Sequence, residues 1–157
     1  MTAFYLCSRY SRRLELVEYA DQLRTLGHQV TSRWLEGQHQ ADELEIAAAG
    51  AVHEVPEVAR RFAEEDVEDV TFADVVVAFS EPPRSSASRG GRHVEFGMAL
   101  GWVLAGYTTV DGGRRQVVVI GQRENVFHCL TEVDVFPDWP AFLATIEPVR
   151  RPAEAAR

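Results

Sequence analysis

The segment ADVVVAFS, residues 73–80, constrains this chain more than any other, because three consecutive valines stand in it with no polar residue between them. β-Branched side chains are stiff at χ1 and favour extended backbone. A strand with one wet face alternates apolar and polar residues, so an unbroken run requires cover on both faces. QVVVIG, residues 116–121, has the same character. Strands of this kind belong to parallel sheets, whose crossovers are long enough to hold a helix.

The rest of the chain supplies such crossovers. AFYLC (3–7) is a short apolar run, and residues 12–26 place Leu14, Leu16, Val17, Tyr19, Ala20, Leu23 and Leu26 at helical spacing before Gly27 ends the pattern. HQVTSRW (28–34) reads as a second strand, followed by the polar loop EGQHQ. Helices are expected at about 41–50 and 57–72, divided by Pro56. Residues 81–91, EPPRSSASRGG, read as a loop. It opens into RHVEFGMALGWVLAG, which is apolar nearly all round and is expected to pack deep against the sheet. EVDVF (132–136) is a weaker strand, a last helix covers about 138–146, and RRPAEAAR is a frayed polar tail. The alternation predicts one α/β domain over residues 1–148 and a flexible polar tail at 149–157. The architecture expected is a doubly wound five-stranded parallel sheet, flavodoxin-like or Rossmann-like, with helices on both faces.

At 157 residues and 46% hydrophobic composition, the chain can bury one sizeable core. Its formal net charge is -8, and all 16 basic residues are Arg. This balance argues against a nucleic-acid polymer as partner, which needs a basic footprint. It also removes any Schiff-base or phosphate-loop lysine, while a small anion held by one or two Arg stays compatible. With no charged leader followed by an apolar segment and no apolar run of about 18 residues, a cytoplasmic protein away from the membrane is expected. Cys7 and Cys129 lie among apolar neighbours without CxxC spacing and read as buried thiols. His28, His39, His53, His93 and His128 show no ligand spacing, so neither a metal nor a cofactor is expected.

In doubly wound sheets, ligands sit beyond the carboxyl ends of the strands. That rule selects Cys7, Ser8 and Arg9, then Arg33 and Trp34, the 81–91 loop with the helix it opens, and residues 122–125. Glu95 is the only charged side chain between His93 and Asp111, set in the first turn of an otherwise apolar helix. Burial would raise its pKa, whereas the helix N-terminus favours the anion, and a partly desolvated but ionised carboxylate is a good nucleophile. The alternative is that Glu95 caps the helix or pairs with Arg92. Asp66 interrupts an apolar stripe formed by Phe62 and Val70, one turn before and after it, while Glu57, Glu64, Glu65 and Glu68 take the solvent face. The alternative is a bond to a backbone turn or an Arg, and Asp69 and Asp74 compete with it. Gly90-Gly91 ahead of a helix suits a phosphate, with Arg89 and Arg92 near, although two glycines in such a place are common. Tyr5 lies inside the first strand, where an aromatic is usually core, with a hydroxyl able to reach the strand end.

These residues together carry a resemblance. FYLCS at the start, Asp66 eight residues before Asp74, and a Ser/Gly loop leading into HVEFG resemble the nucleoside 2-deoxyribosyltransferase family, with its related 2'-deoxynucleoside 5'-phosphate N-hydrolases and CMP N-hydrolases. The resemblance runs from residue 3 to about 146. It implies that Glu95 attacks C1' of the sugar to give a glycosyl-enzyme, that Asp66 helps protonate or hold the departing base, and that the Tyr5 hydroxyl orients the nucleophile. It further implies substrate contacts from Ser8, Arg9, Trp34, Gly91 and Arg92. Asn125, in QRENVFH, resembles a segment that relatives insert into a neighbouring subunit's site. A homodimer or higher homo-oligomer with shared sites is therefore expected, acting on a small nucleoside or nucleotide and a free base.

The chemistry suits these side chains independently. N-glycoside cleavage passes through an oxocarbenium-like state, so one carboxylate must approach the anomeric carbon while a proton donor serves the base. The leading expectation is transfer of deoxyribose from one base to another. The chain departs from the hydrolases in its bulkier Ser8-Arg9-Tyr10-Ser11-Arg12 segment and its longer 81–91 loop. Hydrolysis of (deoxy)nucleoside 5'-monophosphates, with Arg9 and the Arg84, Arg89 and Arg92 group on the phosphate, is the alternative enzyme. A non-catalytic nucleotide-binding domain is the alternative of another class, since a doubly wound fold implies no reaction.

Overall fold

The structure, a computed structural model, describes residues 1–39, 56–81 and 90–149. Five strands form one all-parallel sheet: β1 (Ala3–Cys7), β2 (Gln29–Val30), β3 (Val75–Phe79), β4 (Gln116–Ile120) and β5 (Val133–Phe136). Their order is β2-β1-β3-β4-β5, the doubly wound arrangement expected. All five residues of β3 are buried, and so are four of the five in β4, as unbroken valine runs require. Burying each such side chain contributes about 1.5–3 kcal/mol.

Among the described residues, four helices cover the sheet: α1 (Arg13–Thr25), α2 (Glu57–Phe72), α3 (Gly91–Leu104) and α4 (Trp139–Leu143). Successive strand residues point to opposite faces, and β1 shows which helices lie where. Phe4 meets Phe142 of α4 edge to face at 6.3 Å, whereas the next residue, Tyr5, reaches Asp66 of α2. On the first face Tyr19 of α1 stacks on Trp139 at 4.6 Å. On the second, α2 packs against α3. Tyr5 and Cys7, two residues apart, therefore present their side chains to the α2/α3 side.

Several elements differ from expectation. The second strand is two residues long, because side chains take over the pairing from Ser32 onward, past a last ladder bond from the Thr31 amide to the Phe4 carbonyl. The Ser32 hydroxyl accepts from the Leu6 amide at 2.7 Å, Asp69 accepts from the Arg33 amide at 2.8 Å, and Arg33–Glu36 turn into a 3-10 helix. The last helix stops at Leu143, capped at its start by Asp138 accepting from the Ala141 amide. Helix α3 is apolar all round but not deep all round, since Val94 and Leu104 on its outer face are 63% and 55% exposed. Cys129 is exposed, unlike Cys7. The helix expected at about 41–50, most of the 81–91 loop, including Arg84 and Arg89, His53 and residues 150–157 of the tail lie outside the described residues. No helix among the described residues is long and apolar enough to cross a membrane.

Gly121, just past β4, has φ +106, and a Cβ there would collide with Ser80 Oγ. Only glycine lets the carboxyl ends of β3 and β4 close together in this way. At the other end of the sheet, an open groove between α1 and α4, lined by Gln22, Leu26, Leu143 and Ile146, carries only the surface acids Glu18 and Asp21.

Candidate active site

At the carboxyl end of β1, three elements bring Tyr5, Asp66 and Glu95 together. Helix α2 buries Phe62 and Val70, and Asp66 lies in the same stripe, half-buried. The Tyr5 hydroxyl, at the end of a fully buried ring, donates to Asp66 Oδ1 at 3.4 Å. The two competing acids have other duties. Asp69 holds the Arg33 amide and guanidinium at 2.8 and 2.7 Å, fixing the segment after β2, and Asp74 accepts from the Ala3 amide at 2.8 Å. Asp66 is thus the acid that meets Tyr5.

Glu95 stands one turn further along its helix than expected. Helix α3 is capped by Gly90, whose φ of +84 suits glycine, and Glu95 is the fifth residue after that cap. Its carboxylate folds back toward the helix start, with Oε1 3.9 Å from where a Gly91 side chain would begin. Burial and then the Asp66 charge raise its pKa to about 8, against hydrogen bonds from the Tyr5 hydroxyl and the Cys7 thiol that favour the anion. Burial likewise raises Asp66 to about 6, opposed by attraction to His39 and by the Tyr5 bond. Tyr5 and Cys7 are themselves pushed up, first by burial and then by the charge of Glu95. The four groups form one coupled cluster holding about one proton between its two carboxyls near neutral pH.

Glu95 does not rely on Arg92 for charge balance. Arg92 is buried and grips Glu124 with two nitrogens, at 2.7 and 3.0 Å, and also donates to the Phe79 carbonyl at 3.2 Å. Arg9 pairs with Glu81 at 2.5 Å. Ser8 Oγ and Arg9 Nε are buried without hydrogen-bond partners. Trp34 is buried, and its indole N–H donates to the Leu6 carbonyl at 2.8 Å, leaving no free donor. Asn125 caps its own short turn, Val126–Cys129, by accepting from the Phe127 amide at 2.9 Å. The structure thus brings Tyr5, Asp66 and Glu95 into one cluster, with Ser8, Arg9, Gly91 and Arg92 at the adjoining strand and helix ends.

Four participants carry no role on sequence reasoning, although the strand-end rule points at three of them, Cys7, Glu81 and Glu124. Cys7 looked like core because an apolar run surrounds it, yet its thiol reaches Glu95 and lies 4.0 Å from the Arg92 carbonyl. His39 was dismissed for lack of ligand spacing. Its ring stacks on Phe62 at 4.6 Å, and Nε2 lies 2.6 Å from Glu65 Oε2, so Glu65 is drawn inward rather than left on the solvent face. That contact is close enough for an ion pair but is not aligned as a hydrogen bond. Glu81 and Glu124 lie in the segments just past the carboxyl ends of β3 and β4, where the strand-end rule points. Among the described residues, no group of three His, Cys, Asp or Glu is arranged to hold a metal.

No protein-family model matches the sequence, and no curated protein matches it significantly. Solved structures do match along nearly the whole chain. A 2-deoxyribosyltransferase from Bacillus psychrosaccharolyticus aligns with TM-score 0.58 and 20% identity, covering 94% of this chain and 99% of its own. A CMP N-glycosidase from Clostridium botulinum aligns with TM-score 0.50 and 13% identity, covering 90% of this chain and 96% of its own. In its all-parallel sheet and flanking helices, this chain shares the fold of the 2-deoxyribosyltransferase and the CMP N-glycosidase.

Proposed function

We propose that this chain is an enzyme that cleaves the N-glycosidic bond of 2'-deoxynucleosides and transfers the deoxyribosyl group to another base. The observation that carries this reading is the Tyr5 hydroxyl held between two half-buried carboxyls, one shifted to about 8 and the other to about 6. A pure binder of nucleotides gains nothing from two such acids, whereas glycoside chemistry needs one carboxylate and one proton donor. The names of the structural neighbours, a 2-deoxyribosyltransferase and a CMP N-glycosidase, support the same reaction class.

In the proposed cycle, Glu95 supplies an oxygen lone pair to C1' as the C1'–N bond breaks, and the bonding pair leaves on the base nitrogen. Asp66 gives that nitrogen its proton. In the free site the proton rests mainly on Glu95, whose affinity for it is higher, and Tyr5, in contact with both acids, is the path by which it reaches Asp66. A second base then attacks C1', its proton passes to Asp66, and the ester to Glu95 breaks. The hydrogen bonds from Cys7 and Tyr5 favour the Glu95 anion, the form that attacks C1' once its proton has left.

The working form is inferred to be a homodimer or higher homo-oligomer. The outer face of α3 exposes Val94, Gly97, Gly101 and Leu104, and the adjoining Val126–Cys129 turn exposes Val126 and Phe127. His128 packs on Phe96 at 4.9 Å, which sets the turn that carries Val126 and Phe127 against α3. The functional test is to incubate the protein with a panel of nucleosides, with and without free acceptor bases, and chromatograph the products. Base exchange that disappears in Glu95→Ala supports the reading. Full activity in that variant, or no turnover of any nucleoside, overturns it.

A further inference from the structure

At the strand ends beside the Glu95 cluster, the described arginines are occupied by the protein's own carboxylates. Three guanidiniums meet at the ends of β1, β3 and α3, and each is engaged. Arg9 holds Glu81 at 2.5 Å, Arg12 holds Glu15 at 2.6 Å and Glu81 at 3.4 Å, and Arg92 holds Glu124 at 2.7 Å. The Glu81 amide donates to Glu124 Oε1 at 2.9 Å, tying the pairs into one network. Three positive and three negative side chains cancel among the described residues. The Glu81 side chain is only 3% exposed, so drawing Arg9 away to a phosphate would leave a buried carboxylate short of a cation, which is costly. The network adjoins the reactive cluster, since the Arg92 carbonyl lies 4.0 Å from the Cys7 thiol that hydrogen-bonds Glu95.

We infer that Glu81 is a specificity-determining residue that reserves the site for nucleosides with a free 5'-hydroxyl and excludes their 5'-monophosphates. This rests on the cleavage reading above. A hydroxyl both donates and accepts, and the two buried atoms left without partners, Ser8 Oγ and Arg9 Nε, offer one acceptor and one donor at the same strand end. A phosphate has only acceptors to offer and must compete with Glu81 for Arg9 and Arg12.

The test compares kcat/KM for the four deoxynucleosides and their 5'-monophosphates in the wild type and in Glu81→Gln, with inorganic phosphate titrated calorimetrically into both proteins. The wild type should prefer the nucleoside by at least ~100-fold and give no saturable heat with millimolar phosphate. Glu81→Gln should cut that preference at least ~10-fold, through a gain on the monophosphate, and should bind phosphate. A wild type that prefers monophosphates, a wild type that binds phosphate, or a variant with an unchanged ratio overturns the inference. If the wild type cleaves nothing, the cleavage reading fails, and the phosphate titration of the wild type still decides whether these strand ends are closed to anions. That titration also stands alone if Glu81→Gln does not fold.

Discussion

Replacing Glu95 with Gln should stabilise the fold in a pH-dependent way, because the carboxyl is held where its charge is unwelcome. Each pH unit of pKa displacement is worth ~1.4 kcal/mol. Carrying Glu95 from its ordinary 4.5 to about 8 therefore costs the folded, ionised protein at most ~5 kcal/mol. The residue keeps some solvent access and its surroundings relax, so ~2–4 kcal/mol is the expected size. The folded carboxyl binds its proton more tightly than the unfolded one, so wild-type stability falls as pH rises from about 4.5 and the loss is complete above about 8. Gln has nearly the same shape and carries no charge, so it escapes this loss. Urea unfolding followed by tryptophan fluorescence, at about pH 5 and about pH 9 and equal ionic strength, measures the difference between the two proteins at each pH. The advantage of Glu95→Gln should grow by ~2–4 kcal/mol between them. A difference constant to within ~0.5 kcal/mol would mean that Glu95 ionises freely and that the cluster described here does not exist.

Other consequences are equally direct. If the reactive form carries one proton across the two carboxyls, kcat/KM should rise through about pH 6 and fall through about pH 8, and a flat profile over that range contradicts the pairing. Tyr5→Phe keeps the buried ring but removes the one O–H that favours the carboxylates, so the profile should move to higher pH and kcat should fall ~10–100-fold, with an unchanged profile as the opposing result. Phe127→Arg places a charge on the exposed apolar surface beside α3 and should reduce the sedimenting species to monomers; a wild type that already sediments as a monomer removes the oligomer from the account.

The sheet was legible because burial on both faces leaves a plain trace in sequence, as in Val75–Val77 and the run after Gln116. The second strand misled because Thr31 and Ser32 suit a strand by type but take part through their side chains here, with Ser32 bonding Leu6. Asp66 was visible as a charge in an apolar stripe, yet its rivals Asp69 and Asp74 could be set aside only once their partners Arg33 and Ala3 were known. The ionisation of Glu95 was misjudged for a comparable reason. Spacing along one helix reveals the dipole but not the second carboxyl brought in from α2, nor the depth of burial. Glu81 escaped notice because its significance lies in Arg9 and Arg12, about 70 residues away in sequence, folding onto it.

The central claim is that Glu95 becomes bonded to sugar. Incubation with a deoxynucleoside analogue bearing fluorine at C2', which slows breakdown of a glycosyl ester by destabilising the oxocarbenium-like state, followed by intact-mass and peptide mass spectrometry, tests it. The account predicts one fluorosugar per chain, on the peptide holding Glu95, absent from Glu95→Gln and discharged on adding a free base. Release of base with no covalent sugar at any time, or sugar found on Asp66 or Cys7 instead, would contradict it.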